Sequence, residues 1–206
     1  MIALVDYGVG NLFSLTCSLK ACGIDACVSA DAAQLREAQG IILPGVGAFG
    51  DAIDKLHQTG LDEELRKLAS EGKPLLGICL GMQLLFDESE EFGAHAGLGL
   101  IPGRVVPLQG RIDEGLLIPH MGWNGLTYTG NPSKLLADTK EGSYVYFVHS
   151  YFATECDAHT TATADYSIPV TAVVERDNVM GTQFHPEKSG DVGLRILKTF
   201  YELCKG

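Results

Sequence analysis

Short apolar segments alternate with helical segments in the first part of the chain, and this alternation constrains the fold more than any other feature. The pattern predicts strands over residues 2–7, 24–29, 41–43 and 75–78. It predicts helices from Asn11 to about Gly23, over residues 32–38, from the loop 44–47 to about Gln58, and over residues 62–70. Because such alternation is typical of parallel strands joined by helices, we expect an α/β fold with an open, mostly parallel sheet flanked by helices.

The second half of the chain carries a different signal, with shorter strands. They are predicted over residues 104–109, 116–118, 126–128, 144–148, 172–175 and 179–184, and a helix over residues 192–204 closes the chain. These segments add short antiparallel strands to the sheet. Since 206 residues can bury a full core and no repeat or long linker interrupts them, we expect one domain spanning residues 1–206.

One cysteine, Cys79, lies between Gly77 and Gly81 at the end of the apolar strand 75–78. A nucleophile on a sharp strand-to-helix turn needs this arrangement, because the glycines relieve crowding around the bend. Residues 82–86 are predicted to begin a helix whose dipole points at the sulfur and stabilises its thiolate. The alternative is a buried, inert cysteine beside an ordinary turn.

A histidine and a glutamate follow the apolar strand 179–184, with Pro186 between them. A cysteine nucleophile needs a base to accept its proton and a third group to orient that base, and these partners come together in space rather than in sequence. His185 and Glu187 fit the two roles. Considered alone they are more typical of a loop histidine and a solvated glutamate; together with the cysteine turn they favour a catalytic triad.

Residues 44–47, Pro-Gly-Val-Gly, follow another predicted strand. In an open parallel sheet, ligands bind beyond the carboxyl ends of the strands. The loop could therefore present a backbone N–H that, together with the N–H of Leu80, stabilises an oxyanion. A plain turn that contains two glycines is the other interpretation.

Composition excludes several classes of function. The chain has 15 Lys and Arg against 26 Asp and Glu, a net charge of −11, and no basic cluster. We therefore expect no nucleic-acid partner. No basic segment followed by an apolar one opens the chain, and no apolar run is long enough to span a membrane. We expect a soluble cytoplasmic protein without a membrane partner.

The six cysteines form no Cys-x-x-Cys pair, so the sequence predicts no metal site. A reduced compartment is the simplest setting for them. Three of them, Cys17, Cys22 and Cys27, are interpreted as small apolar packing residues. Only Cys79 has an activating context.

Two motifs together resemble a known signature. Gly-Ile-Cys-Leu-Gly-Met-Gln at 77–83 and Gln-Phe-His-Pro-Glu at 183–187 are similar to the signature of class I (triad) glutamine amidotransferases. The resemblance implies hydrolysis of glutamine to glutamate and ammonia without a cofactor. Cys79 would attack the amide carbon, His185 would transfer protons and Glu187 would orient the imidazole. Water would then hydrolyse a glutamyl thioester.

Further motifs run from end to end and resemble one branch of this family, the glutaminases that serve imidazole glycerol phosphate synthesis in histidine biosynthesis. They lie at residues 5–11, 43–49, 119–124, 146–151 and 185–189. The stretch Pro-His-Met-Gly-Trp-Asn at 119–124 is the discriminating one. This resemblance implies a heterodimer in which a (β/α)₈ cyclase subunit receives the ammonia and forms imidazole glycerol phosphate and aminoimidazole carboxamide ribonucleotide.

The resemblance also implies roles for individual positions. Residues expected to bind the substrate L-glutamine are Gly47, Gln83, Glu91 and Ser150, and the oxyanion-hole amides are those of Val46 and Leu80. Residues expected at the contact with the cyclase are Asn11, Ser14, Trp123, Asn124 and Lys188. Trp123 is expected to be partly exposed, and His149 and Tyr151 are expected to point away from the strand face that Ser150 uses.

Two hypotheses from other classes of function stay open. A cysteine peptidase or γ-glutamyl hydrolase would use the same Cys-His-Glu chemistry, and would cleave peptides or polyglutamates without a partner. A catalytically silent binding protein would keep the fold and the Trp123 loop. The complete set of Cys79, His185 and Glu187 argues against the silent protein.

Overall fold

The computed structural model describes residues 1–206 and contains thirteen strands and six α-helices. The strands are β1 Ile2–Val5, β2 Ala26–Ser29, β3 Gly40–Leu43, β4 Leu75–Ile78, β5 Glu88–Ser89, β6 His95–Ala96, β7 Arg104–Pro107, β8 His120–Tyr128, β9 Tyr144–His149, β10 Tyr151–Thr154, β11 Thr160–Asp165, β12 Pro169–Arg176 and β13 Val179–Thr182. The helices are α1 Leu12–Ala21, α2 Ala32–Glu37, α3 Phe49–Thr59, α4 Leu61–Ser70, α5 Leu80–Gln83 and α6 Gly190–Leu203.

Nine strands form one open sheet in the order β2-β1-β3-β4-β13-β12-β11-β8-β9. The strands from β2 to β13 in this order are parallel, and from β13 to β9 each neighbouring pair is antiparallel. The predicted α/β fold with its parallel sheet and flanking helices is confirmed. A second sheet, in the order β10-β7-β5-β6, lies beside the first.

The core occupies both faces of the large sheet. Ile2 and Leu4 of β1 belong to one buried cluster of 23 residues, whereas Ala3 and Val5 belong to another of 28 residues. Strands buried on both faces have no polar side to present to water. This is why the parallel strands were recognisable as continuous apolar runs in the sequence.

Two local features set the helix boundaries. The side chain of Asn11 accepts a hydrogen bond from the N–H of Ser14 (3.3 Å), and α1 begins directly after it. Gly60 adopts the left-handed conformation (φ 70°) that ends α3, and α4 begins directly after it. The first residues of α1 and α4 agree with the sequence prediction to within two residues.

The antiparallel half differs from the prediction. Residues 116–118 form no strand, and Leu117 is 79% exposed, because an apolar run without a pairing partner does not make a strand. β8 begins at His120, well before the predicted 126–128, while β10 and β11 were not predicted at all. The added strands are also longer than expected, since β8 has 9 residues and β12 has 8.

Cys17 is exposed, so its prediction as a packing residue was wrong: it lies on the solvent side of α1, away from the buried Leu15 and Leu19. Cys22 and Cys27 are partly buried and pack against the two core clusters, as expected. None of the six helices is both long enough and apolar enough to cross a membrane.

Candidate active site

Cys79 follows β4 in a conformation that residues other than glycine rarely adopt, with φ 55° and ψ −111°. The bend is possible because its flanking residues have no Cβ. At Gly81 a Cβ would lie 1.8 Å from the carbonyl oxygen of Leu43, and at Gly77 it would lie 2.6 Å from the carbonyl oxygen of Gly81. The turn predicted from the sequence is present, and its strained backbone exposes the sulfur to a cavity.

The helix after Cys79 differs from the prediction. It spans the four residues Leu80–Gln83 rather than residues 82–86, and Leu84 is its C-cap. So short a helix has little macrodipole, since the dipole grows with the number of aligned peptide units. Its contribution at the sulfur is therefore local, from the unpaired N–H groups of the first turn.

The register of the sheet brings the second motif to this turn. β13 pairs in parallel with β4, so that Thr182 lies opposite Ile78. The N–H of Cys79 donates to the carbonyl oxygen of Thr182 (2.8 Å). Residues that leave β13 therefore emerge beside the cysteine, at the edge of the sheet where ligands bind in open α/β folds.

His185 and Glu187 form a buried pair. Nδ1 of His185 lies 2.8 Å from Oε1 of Glu187, and their side chains are 3% and 4% exposed. Nδ1 carries the proton because a carboxylate can only accept, which leaves Nε2 as the basic nitrogen. Nε2 has no hydrogen-bond partner within the chain. The geometry thus leaves one nitrogen free to exchange a proton at the cavity.

The charge state of His185 is set by competing effects. Burial lowers the pKa of this imidazole, but interactions with Cys79 and Glu187 outweigh burial and raise the pKa to about 9. An imidazolium formed at this position is stabilised, as a proton acceptor for a thiol requires.

A serine holds the backbone of this histidine in place. Pro186 begins a single 3-10 turn over Pro186–Lys188. Ser189 donates its hydroxyl hydrogen to the carbonyl oxygen of His185 (2.6 Å) and accepts from the N–H of Tyr146 (3.0 Å), while the N–H of His185 donates to the carbonyl oxygen of Tyr146 (2.9 Å). These hydrogen bonds hold the backbone of His185 against β9, in addition to its covalent connection to β13.

The loop 44–47 packs directly on the cysteine turn. Tyr7 donates its hydroxyl hydrogen to the carbonyl oxygen of Pro44 (2.7 Å), and a Cβ at Gly45 would lie 2.8 Å from the backbone nitrogen of Gly81. Burial, followed by the proximity of Cys79, raises the pKa of the Tyr7 phenol, so it stays a hydrogen-bond donor. This close approach brings Val46 and Leu80 to the wall of one cavity.

That cavity, of about 400 Å³, gathers most of the predicted site residues. Its lining comprises Val46, Gly47, Cys79, Leu80, Gln83, Glu91, Pro119, Val148, His149, Ser150, Tyr151, His185 and Lys188. Glu187 is not part of this lining; it lies behind His185 and borders a much smaller cavity together with Asn11. The structure thus brings the predicted nucleophile, base and substrate-binding residues together around one space.

His149 and Tyr151 were expected to point away from Ser150, and this prediction was wrong. Ser150 is a bend between β9 and β10 rather than a residue within one strand, so strand alternation does not apply. All three residues line the cavity. His149 is in turn bonded to His120, with Nε2 and Nδ1 2.9 Å apart.

Polar groups of the cavity wall are held by hydrogen bonds from the chain. Oε2 of Glu91 accepts from the N–H of Phe49 (2.7 Å) at the start of α3. Burial raises the pKa of Glu91 and this N–H opposes the rise. Gln83 donates from Nε2 to the carbonyl oxygen of Tyr151 (2.9 Å) and to Oε1 of Gln183 (3.0 Å). Gln183 is the first residue of the motif at 183–187, but it was not predicted as a site residue.

The residues expected at a partner contact fall in two places. Trp123 is 54% exposed on β8 and packs edge to face on Tyr146 (centroids 6.0 Å), and Nζ of Lys188 lies 5.8 Å from the centroid of the same ring. Asn11 and Ser14 lie together at the start of α1.

Asn124 is engaged within the chain, since it donates from Nδ2 to the carbonyl oxygen of Asp165 (2.7 Å). No three side chains of His, Cys, Asp or Glu come together in a way that could hold a metal ion.

Curated relatives match the whole chain. The chain is 49% identical to the imidazole glycerol phosphate synthase subunit HisH of Geobacillus sp. (strain WCH70), covering 100% of this chain and 98% of the relative. Identity to the HisH subunit of Bacillus subtilis (strain 168) is 50%, over 99% of this chain and 97% of the relative. Identity to the HisH subunit of Lacticaseibacillus casei (strain BL23) is 51%, over 100% of this chain and 97% of the relative.

Solved structures share the fold at low identity. One described as a glutamine amidotransferase superposes with a TM-score of 0.79 at 20% identity and covers 100% of both chains. The structure of PurLQS from Thermotoga maritima has a TM-score of 0.74 at 20% identity, over 98% of this chain and 97% of that chain. The family model for glutamine amidotransferase class-I matches residues 3–203. The chain belongs to the class-I glutamine amidotransferase family.

Proposed function

We propose that the chain is the glutaminase subunit of an imidazole glycerol phosphate synthase and acts in histidine biosynthesis. The observation that carries the proposal is the placement of Cys79 and His185 on one cavity, with Glu187 bonded to Nδ1 of the histidine. The full-length identity to HisH subunits supports the choice of synthase within the family.

The first half of the reaction forms a thioester. Sγ of Cys79 attacks the side-chain amide carbon of glutamine while the thiol proton passes to Nε2 of His185. The carbonyl oxygen becomes an oxyanion, which the N–H groups of Val46 and Leu80 stabilise. His185 then gives its proton to the amide nitrogen as the C–N bond breaks. Ammonia leaves and the γ-glutamyl group stays on the sulfur.

The second half releases glutamate. A water molecule gives one proton to Nε2 of His185 while its oxygen attacks the thioester carbon, and the same oxyanion site is used again. The C–S bond breaks, the sulfur takes the proton back from His185, and glutamate leaves. Throughout, the carboxylate of Glu187 holds Nδ1–H and stabilises the transient imidazolium.

Substrate recognition in this proposal uses the polar wall of the cavity. The ammonium group of glutamine requires hydrogen-bond acceptors, and the carboxylate of Glu91 and the side-chain carbonyl oxygen of Gln83 can supply them. The α-carboxylate requires donors, and the hydroxyl of Ser150 and the N–H of Gly47 can supply those. These four groups come from separate elements, which converge on the cavity.

Free ammonia would be protonated and lost in bulk water, so a glutaminase gains by delivering it directly to an acceptor site. We propose that this site belongs to a (β/α)₈ cyclase subunit that binds at a surface including Asn11, Ser14, Trp123, Asn124 and Lys188. The exposed indole of Trp123 is the anchor of that surface, because tryptophan is enriched among interface hot spots. The location that fits this role is the cytoplasm.

The test is glutamate release from glutamine by the purified chain alone, and then by its complex with a cyclase that has its nucleotide ligand bound. We expect negligible turnover alone, strong stimulation in the complex, and none with Cys79→Ala. Brisk turnover that the cyclase does not change would refute the partner assignment. Cleavage of peptides or polyglutamates by the chain alone would favour the hydrolase reading instead.

A further inference from the structure

The side-chain amide of Gln83 has only one possible orientation. The carbonyl oxygen of Tyr151 can only accept a hydrogen bond, so the group 2.9 Å from it must be the Nε2 donor of Gln83. The second hydrogen of the same nitrogen is directed to Oε1 of Gln183 at 3.0 Å. Both donors of Gln83 are therefore used within the chain, and its carbonyl oxygen is the atom left for the cavity.

The orientation of Gln183 follows from that of Gln83. Because Oε1 of Gln183 accepts from Gln83, its Nε2 must point the other way, and this nitrogen lies 3.8 Å from Sγ of Cys79. The side chain is fully buried, with 0% exposure. Its backbone N–H donates to the carbonyl oxygen of Ala172 (2.9 Å), so the sheet fixes the position of the residue.

We propose that Gln183 is a further residue of the active site with two roles. Its Nε2–H donates to the sulfur of Cys79 and stabilises the thiolate form. Its Oε1 holds Gln83 so that the carbonyl oxygen of Gln83 faces the ammonium group of the substrate. The second role rests on the proposed glutaminase function, whereas the first concerns only the nucleophile.

The direction of both effects follows from burial. An N–H dipole aimed at a sulfur in a water-poor site stabilises the anion more than the neutral thiol. A distance of 3.8 Å makes this a long contact, so we expect a modest effect. The carbonyl oxygen of Tyr151 favours the same orientation of the Gln83 amide, and Oε1 of Gln183 adds the second hydrogen bond that opposes rotation to the state in which the N–H₂ group faces a cation.

The first role is tested with Gln183→Met, which keeps the approximate volume and removes both polar atoms. The rate of Cys79 alkylation by iodoacetamide is followed against pH by mass spectrometry of the peptide that contains this cysteine. We expect the profile to move to higher pH and the rate at pH 7 to fall about threefold to tenfold. The matched control is Gln58→Met, since Gln58 is an exposed residue of α3.

The second role is tested by comparing Gln183→Met with Gln183→Glu in the complex with the cyclase. In either protonation state the glutamate keeps an oxygen that accepts from Gln83. We expect KM for glutamine to rise about fivefold or more in Gln183→Met and to stay within about twofold of native in Gln183→Glu. Equal KM values for Gln183→Met and the native chain would overturn this role.

A measurement on the native sequence covers the case in which Gln183→Met does not fold. Alkylation of Cys79 should shift the side-chain amide resonances of Gln183 in ¹⁵N-labelled protein and leave those of Gln58 unchanged. No shift, or an unchanged alkylation profile in a folded Gln183→Met, would overturn the first role. Neither readout of the first role needs glutamine turnover, and the second role is refuted only by an unchanged KM in a complex that turns over. A failure of the proposed function is therefore distinguishable from a failure of this inference.

Discussion

A buried pair of neutral histidines beside the cavity should make the fold sensitive to acid. Nδ1 of His149 lies 2.8 Å from the carbonyl oxygen of Tyr151 and must donate, so its Nε2 accepts from Nδ1 of His120 at 2.9 Å. A second proton on His149 would place two donors face to face. Burial lowers the pKa of His120 to about 4. Burial, with a smaller effect from the charges of His120 and His185, lowers that of His149 to about 3.

The size of the effect follows from linkage. An unfolded histidine has a pKa of about 6.5, so at pH 5 each of the two gains about 2 kcal/mol by binding a proton when the chain unfolds. The folded imidazoles stay neutral at this pH. The unfolded state binds more protons, and stability therefore falls as pH decreases from about 6.5 toward 4. The pair should account for a loss of about 4 kcal/mol between pH 7.5 and pH 5.

Urea unfolding of the native chain and of His120→Phe at the two pH values isolates the contribution of one histidine. Phenylalanine keeps the stacking on Phe147 and Tyr166 that His120 makes. We expect the loss of stability between pH 7.5 and pH 5 to be smaller by about 2 kcal/mol in this variant. His159→Gln is the control, because His159 is a partly exposed histidine outside the buried pair. An undiminished loss in His120→Phe would refute the reasoning.

Three further predictions concern the catalytic turn, the triad and the partner surface. Glu187→Gln keeps the shape but removes the carboxylate 2.8 Å from Nδ1 of His185; kcat for glutamate release in the complex should fall at least tenfold with little change in KM, and a kcat within threefold of native would contradict the assigned role. Gly81→Ala places a Cβ 1.8 Å from a backbone oxygen, whereas Gly125→Ala meets nothing nearer than 3.5 Å; only the first should lower the free energy of unfolding, by about 2 kcal/mol or more in urea titrations. Trp123→Ala should weaken binding of the cyclase by a factor of about 30 or more in calorimetry and leave the melting temperature of the free chain nearly unchanged; unaltered binding would exclude Trp123 as an anchor.

The parallel half of the fold was predictable because its strands are apolar on both faces. β4 and β13 are fully buried over all their residues, so hydrophobicity alone marked them. The antiparallel half lacks this signal. β8 reads His-Met-Gly-Trp-Asn-Gly in its first six residues, and β11 consists mostly of threonine and alanine. Such segments become strands through pairing with neighbours, which a single sequence does not reveal.

The candidate site divides in the same way. The spacing of the two motifs predicted Cys79, His185 and Glu187, because a sharp glycine turn and a base with its orienting carboxylate each leave a local signature. The parts played by Gln183 and His149 could not be predicted. Each depends on a hydrogen-bond partner on another element, Gln83 for the first and His120 for the second.

The strand order explains why the triad residues meet residues of the antiparallel strands. β4 and β13 are neighbours in the sheet, although β5 to β12 lie between them in the chain. Cys79 and His185 therefore depend on one parallel pairing, while the bend at Ser150 and the exposed Trp123 belong to strands of the long insertion. The bend is joined to the nucleophile by two routes: the hydrogen bonds from Tyr151 through Gln83 and Gln183, and the carbonyl oxygen of Val148, which lies 3.9 Å from Sγ of Cys79. Disturbance of the partner-facing strands should therefore alter both the binding of the substrate and the reactivity of the sulfur.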